Sequence, residues 1–267
     1  MKKKKIYVGH RPTQRKQIIF WTIALVLTAF SCYKIDFDWA LFGEGFQKIP
    51  SVLGKMMKIS WAVMPMVVDS MVMTLAIAAI GIVISAVISL VIGFLIAGNT
   101  TPSKWVKGIL GSVCIVIRTI PITVWVLLAV ASAGFGATAA VLGLALPTIA
   151  YLSKTFANQI ETCGRNIKET MTALGTPWPV MVMKGFLPMC KTSLLAVAAF
   201  RFEMSVSEST VLGLVGCGGI GYMISRYIKA YKFGELSACL IVVLTVMYAL
   251  EFGTTKIRKQ LRNDRNE

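Results

Sequence analysis

The sequence predicts an all-α integral membrane protein with six transmembrane helices. Of its 267 residues, 56% are hydrophobic and 15% are charged, and the mean hydropathy is +0.71. A soluble domain of ordinary composition carries about 25% charged residues. Because one compact core cannot hide so much apolar surface, lipid is the solvent that this composition favours. The lysines and arginines also lie at the chain ends and between the apolar runs, which is typical of a membrane protein.

Six apolar segments are predicted to cross the membrane. The first, residues 18–33, follows the basic segment 1–17, which contains seven lysines and arginines and no acid. A cleaved signal peptide shares this pattern, but "TAFSC" is a poor cleavage site, so we expect a retained helix. The segment 34–69 is mixed in character and is predicted to be external or interfacial. The other five predicted spans are residues 70–97, 108–133, 137–153, 192–215 and 236–252.

The placement of the basic residues predicts the orientation. With the N-terminus in the cytoplasm, six crossings place nineteen of the 28 lysines and arginines on the cytoplasmic side and seven outside. This asymmetry predicts a multi-pass protein of the cell membrane with both termini, including the basic tail 256–267, and the polar loop 154–191 in the cytoplasm. The same distribution assigns the net charge of +16 to lipid headgroups and argues against nucleic acid as a partner.

The sequence offers no material for catalysis, for a metal site or for nucleotide binding. Its single histidine, His10, lies in the basic tail, and its six cysteines form no CxxC pair. No GxxxxGK[ST] loop occurs, so we expect this chain to bind no cofactor and any ATP to be used by another subunit. These absences argue against an enzyme.

The polar stretch "ETMTALGTPWPVMVMKGFLP", residues 169–188, interrupts two membrane segments. Its glycines and prolines divide it into short helices, and "NIKETMTAL" has apolar residues at helical spacing. Such a stripe either packs against the protein's own helices or binds in a groove of a partner. The pattern leaves both interpretations open.

A cluster of five glycines between residues 213 and 221 follows the fifth apolar segment. Glycine costs a helix about 1 kcal/mol relative to alanine, so this segment does not continue as a straight helix. Broken backbone at membrane depth is tolerated where protein buries it or a cavity wets it. We therefore expect the cluster to line the pathway or its gate; its members are Gly213, Gly216, Gly218, Gly219 and Gly221. Three of these spell GxGxxG, but a dinucleotide site also needs a strand and a βαβ unit, for which no segment is available.

Four charged residues lie inside apolar segments: Arg118, Arg201, Glu203 and Glu208. Each costs about 2.5 to 3.5 kcal/mol at the centre of a helix, so each is expected to face the interior of the bundle. On a helix Arg201 and Glu208 share a face and Glu203 points elsewhere. They either pair with one another or act as anion-attracting or gating groups, for which Arg118 and Arg201 are the candidates. Pro121, Glu203 and Glu208 are also candidates for the pathway or its gate.

Two motifs carry a resemblance to a known family. The loop is similar to the motif of binding-protein-dependent ABC importer permeases at Glu169, Gly175, Leu187 and Pro188, although Thr170 and Met171 replace its two alanines and Gly185 replaces isoleucine. The stretch "RFEMSVSESTVLGLVGCGGIG", residues 201–221, resembles the signature of the phosphonate-type members. "RTIP" at 118–121 and "KTFANQIE" at 154–161 resemble further segments, so the resemblance extends over the core permease domain, residues 70–255.

This resemblance implies a six-helix, MetI-like type I importer permease that carries phosphonate, phosphate or phosphite. It implies two ATPase subunits that use ATP and Mg²⁺, a second permease subunit, most simply as a homodimer, and an external substrate-binding protein. The residues that would contact the ATPase are Glu169, Ala173, Gly175, Leu187 and Pro188. A permease for another small solute and a self-sufficient secondary transporter or channel stay open as alternatives.

Overall fold

The computed structural model describes residues 11–163 and 167–263, and in these ranges it contains helices and no strands. The long helices are α1 (Arg11–Lys34), α2 (Trp39–Met56), α3 (Met64–Ile96), α4 (Lys104–Thr119), α5 (Ile122–Ala133), α6 (Ala137–Cys163), α9 (Leu187–Leu212), α10 (Gly219–Lys229) and α11 (Phe233–Asn263). Shorter pieces are a 3₁₀ turn (Trp61–Val63), α7 (Ile167–Ala173), α8 (Trp178–Val180) and two π-helical turns, Met181–Phe186 and Gly213–Cys217.

The described residues form two compact units, one ending at Gly54 and the other beginning at Lys55. The first contains α1 and most of α2. Helix α2 begins at Trp39 because the Asp38 carboxylate accepts hydrogen bonds from the backbone N–H groups of Ala40 and Leu41, at 2.8 and 3.0 Å. None of the residues of α2 is buried.

Small residues bring the helices of the second unit close together. A Cβ on Gly143 of α6 would lie 2.6 Å from the Cα atom of Val126 in α5, so only glycine fits there. On the α3 side, Ser85 and Ser89 donate hydrogen bonds to the carbonyl oxygens of Ala145 and Ile149, at 3.1 and 3.0 Å. Close backbone approach and hydroxyl–carbonyl bonds are what hold helices together in lipid, where the hydrophobic effect gives no force between them.

The six predicted spans are present, with different boundaries. In the described part of the chain five helical segments are long and apolar enough to cross a membrane, and a sixth is formed if the bent pair α4–α5 is counted as one span. The span predicted from the 28 uncharged residues 70–97 starts at residue 70. Helix α3 begins six residues earlier, at Met64, with Pro65 in its first turn.

Other parts of the fold also differ from the prediction. The predicted span 108–133 bends by 90° between α4 and α5, where Pro121 precedes the first residue of α5. Helix α6 continues ten residues past 153, to Cys163, because helical periodicity persists through the polar end. The basic linker after the glycine cluster forms α10, whose buried face includes Ile220, Met223 and Tyr227. Polar residues in the last ten residues of α6 and in α10 hid these helical segments from a search for apolar runs.

The close contact of α5 with α6 can be tested with a single methyl group. Alanine is the better helix former by about 1 kcal/mol, yet we expect Gly143→Ala to destabilise the protein by about 1 to 3 kcal/mol through overpacking against Val126. Gly108→Ala, in an open position on α4, is the control and is expected to be neutral or slightly stabilising. Thermal unfolding in detergent measures both; equal melting temperatures would contradict the packing described here.

Candidate functional site

A buried arginine in α9 organises the interior of the second unit. Arg201 is 6% exposed, and its two terminal nitrogens donate to the two carboxylate oxygens of Glu208 at 2.9 and 2.7 Å. Nη2 also donates to Thr148 Oγ1 of α6 at 2.9 Å. Arg201 and Glu208 share a face two turns apart, as predicted, so the pairing interpretation describes their geometry. The bidentate pair lies within α9 and neutralises the buried guanidinium, whereas the hydrogen bond to Thr148 ties α9 to α6.

Two arginines contact the same aromatic ring. The guanidinium carbons of Arg118 and Arg201 lie 5.2 and 5.0 Å from the ring centroid of Tyr151 in α6, within the range of cation–π attraction. Arg118 is exposed in the single chain, and no acidic residue of the described ranges forms an ion pair with it. The cluster around Tyr151 therefore contains two cations and one carboxylate, with an excess of positive charge on Arg118.

Below this cluster the interior is polar and incompletely paired. Besides Asn99 Oδ1, four buried side-chain atoms have no hydrogen-bond partner within the described part of the chain: Ser153 Oγ, Arg201 Nε, Ser205 Oγ and Ser209 Oγ. Ser205 and Ser209 follow Arg201 along one face of α9 at intervals of four residues. Because an unpaired buried hydroxyl costs free energy, this row is a set of donors and acceptors open to a polar solute or to a rearranged helix.

Glu203 lies away from the cluster, as predicted. Its carboxylate accepts a hydrogen bond from Thr254 Oγ1 of α11 at 2.7 Å. Glu203 therefore links α9 to α11 and stands outside the arrangement around Tyr151.

The glycine cluster interrupts the helix after α9. Gly216, Gly218 and Gly219 have φ angles of 94°, 85° and 68°, which favour glycine. A Cβ on Gly213 would lie 2.7 Å from the Cα atom of Gly221, and a Cβ on Gly221 would overlap the carbonyl oxygen of Thr210. The Ile220 N–H donates to Thr74 Oγ1 of α3 at 2.9 Å, which satisfies one backbone group freed by the break. The break itself was predicted; its role as a gate stays a prediction.

The polar loop forms a short exposed helix with a tight end. Glu169 and Ala173 of α7 are exposed, and Gly175 has a φ of 64°. The Gly175 N–H donates to the Thr172 carbonyl and the Thr176 N–H to the Met171 carbonyl, at 3.0 and 3.1 Å, which is a Schellman motif. Glycine is favoured at 175 because that motif needs a left-handed residue. The three predicted residues therefore share one solvent-facing element.

Leu187 and Pro188 lie in a different environment. They begin α9 and line an apolar groove of about 580 Å³ between α3, α6 and α9. Leu187 is half-buried against the core. The structure therefore does not bring these two residues together with the exposed surface of α7.

The turn between α3 and α4 makes contacts that the sequence interpretation missed. Glu161 of α6 accepts hydrogen bonds from the Gly98 N–H at 2.5 Å and from Lys107 Nζ at 3.1 Å. Trp178 Nε1 of α8 donates to the carbonyl oxygen of Thr100. A signal was available, since Glu161 is the first acid after Asp69 in a region with several lysines. The turn is therefore held both by α6 and by the segment that follows Gly175.

With this geometry established, comparison with known proteins decides the family. Residues 89–255, more than half of the chain, match the family described as "Binding-protein-dependent transport system inner membrane component". The chain belongs to this family. It is a multi-pass transport component of a membrane, as predicted, and not an enzyme. Membership implies a binding protein and an ATPase as partners, and it decides against the self-sufficient transporter or channel.

Several curated relatives are named for transport of phosphorus oxyanions. The permease is 26% identical over 259 residues to the putative phosphite transport system permease protein HtxC of Stutzerimonas stutzeri, covering 96% of this chain and 92% of the relative. It is 31% identical over 189 residues to the phosphite transport system permease protein PtxC of the same organism, covering 71% and 69%. It is 29% identical over 188 residues to the phosphate-import permease protein PhnE of Mycolicibacterium smegmatis, covering 70% and 35%.

Solved structures support the predicted MetI-like fold. An inward-facing structure of the MetNI methionine ABC transporter aligns with a TM-score of 0.70 at 21% identity, covering 76% of this chain and 99% of that chain. An amino acid ABC transporter solved with histidines aligns at 0.59 and 20% identity, covering 76% and 94%. At these identities the likeness concerns the fold.

The pairing of Arg201 with Glu208 predicts non-additive stability changes. Glu208→Leu leaves a buried guanidinium without its counter-ion, and we expect it to cost about 3 to 5 kcal/mol of unfolding free energy. The double variant Arg201→Met/Glu208→Leu removes both charges and should recover most of that loss. Glu203→Gln, which can still accept from Thr254, is the control with a small effect. Unfolding in mixed detergent measures all three, and additive losses would contradict a stabilising pair.

Proposed function

We propose that the permease carries phosphite or a related phosphorus oxyanion, phosphonate or phosphate, across the cell membrane in an ATP-driven importer. The observation that carries this proposal is its similarity to permeases named for phosphite and phosphate transport. In this arrangement the external binding protein determines most of the solute specificity, and the permease provides the path.

The residues around Tyr151 suit an oxyanion. A guanidinium offers paired donors in a plane that match phosphorus oxyanions, and Arg118 is not neutralised by an ion pair with any acid of the described chain. An exposed charge inside a membrane segment has to face water or another protein. In the proposed homodimer Arg118 faces the path between the two copies, next to the break at Pro121, and Arg201 supports it through Tyr151.

The energy comes from elsewhere in the assembly. In this proposal two ATPase subunits bind ATP and Mg²⁺, and this chain binds neither. They dock on the exposed helix α7, at Glu169, Ala173 and Gly175, with Leu187 and Pro188 at the start of α9 as the base from which the docking segment moves. Both termini and this segment lie in the cytoplasm, the side that received nineteen basic residues in the predicted orientation. The glycine cluster, Gly213 to Gly221, serves as the gate.

Growth with a single phosphorus source tests the solute. In a strain without its own phosphite, phosphonate and phosphate importers, the complete transporter is expected to support growth on at least one of the three. Growth on none, together with normal assembly in the membrane, would reject this class of solute and favour a permease for another small solute.

A variant of Arg118 tests the path. We expect Arg118→Gln to lower oxyanion uptake by the assembled transporter by about tenfold or more, since hydrogen bonds to charged groups are worth about 1.5 to 3 kcal/mol. Arg118→Lys keeps the charge and loses the planar guanidinium, so its uptake rate should lie between those of the wild type and Arg118→Gln. Arg226→Gln, the same change at an exposed arginine of α10, is the control. Uptake of radiolabelled solute into proteoliposomes measures each; an unaltered rate for Arg118→Gln excludes Arg118 from the path.

The docking surface is tested at Gly175. A Cβ there meets no neighbouring atom, so the constraint comes from the backbone and from whatever docks. We expect Gly175→Trp to abolish co-purification of the ATPase, while Gly175→Asn, which tolerates positive φ, retains it. Both variants should reach the membrane in equal amounts. Retention of the ATPase by the tryptophan variant would move the docking surface away from this turn.

A further inference from the structure

Helix α2 has one apolar face and one polar face. At 100° per residue, a band of aromatic and aliphatic side chains covers one side: Trp39, Phe42, Phe46, Ile49 and Leu53. The opposite side carries Glu44, Gln47, Lys48, Ser51 and Lys55. The side chains of the apolar band are between 46% and 68% exposed. An apolar face of this extent needs a partner.

The residues of α2 also do not support a helix in water. Gly43, Gly45 and Gly54 each cost about 1 kcal/mol, and Pro50 costs about 3 kcal/mol in a helix interior. The Asp38 cap and the Glu44–Lys48 ion pair at 3.1 Å together stabilise the helix by only about 1 to 2 kcal/mol. The free energy that keeps α2 helical therefore comes from burial of its apolar face.

The connections on either side hold α2 next to a membrane. Four residues, 35–38, separate it from α1, which is apolar enough to span, and four residues, 57–60, separate it from the span that starts at Trp61. A four-residue linker reaches at most about 14 Å. A helix of 18 residues is about 27 Å long, so an upright helix would carry one end beyond the reach of its linker. Both ends therefore stay near the membrane surface, and the helix lies along it.

We propose that α2 is an interfacial helix that binds the lipid surface on the side of the membrane that carries residues 35–60. Its aromatic band enters the boundary between headgroups and acyl chains, where Trp and Phe partition well, and Lys48 and Lys55 face the headgroups and water. The partner is the bilayer itself. This contact does not depend on which solute the permease carries.

Hydrogen exchange in lipid nanodiscs tests the helix. In nanodiscs of phosphatidylethanolamine and phosphatidylglycerol, we expect the amides of residues 39–56 of the intact permease to exchange about tenfold or more slowly than in Phe46→Glu. Gln47→Glu adds the same charge to the adjacent, polar side and should keep the protection. Unprotected amides in the wild-type protein, or equal loss in the two variants, would overturn the proposal.

Fluorescence identifies what covers the apolar face. The signal of Trp39, taken as the difference between wild type and Trp39→Phe, should be quenched by lipids brominated in the upper part of the acyl chain. Protected amides without such quenching would mean that protein covers the face, and would overturn the proposal. So would protection that arises only after the external binding protein is added, since the partner would then be that protein.

Discussion

The structure depends on one constraint: inside hydrocarbon, each polar group has to find its partner within the protein. Arg201 meets it with Glu208 and Thr148, Glu203 with Thr254, and the backbone freed by the glycine break with Thr74. The first two sets of bonds join α9 to α6 and to α11, and the third joins α10 to α3. The polar residues of the apolar segments thus form the hydrogen bonds between neighbouring helices.

A second set of hydrogen bonds connects the segment after Gly175 to the turn between α3 and α4. Trp178 binds the Thr100 carbonyl, and Glu161 binds Gly98 and Lys107 across the same turn. Hydrogen bonds therefore link the segment after Gly175 to the turn between α3 and α4, and link that turn to α6. Helix α4 ends near Arg118, about 24 Å from its start at Lys104. Helix α4 thus connects the turn that Trp178 contacts with Arg118 in the cluster around Tyr151.

The fold was largely predictable because hydropathy and charge report directly on lipid. The number of spans followed from apolar runs, and the break after α9 followed from five glycines. The prediction was wrong where a helix continues beyond its apolar part, as α6 does from residue 153 to Cys163. It also missed α10, whose polar residues face away from a buried stripe. Apolar length measures how much chain lipid covers, whereas helix length depends on backbone hydrogen bonds that continue into water.

The site was predictable only in part, because a sequence identifies charged residues and not their neighbours. Arg118 and Arg201 were equivalent in the sequence, as arginines in apolar segments. Tertiary contacts distinguish them: Arg201 is held by a carboxylate two turns along its own helix, whereas Arg118 lies against a tyrosine ring and forms no ion pair with an acid of the described residues. An arginine with a counter-ion contributes mainly to stability, whereas the positive potential of an arginine without one can attract an anionic solute. Tyr151, which contacts both, connects the structural role to the proposed functional one, and no pattern in the sequence singled it out.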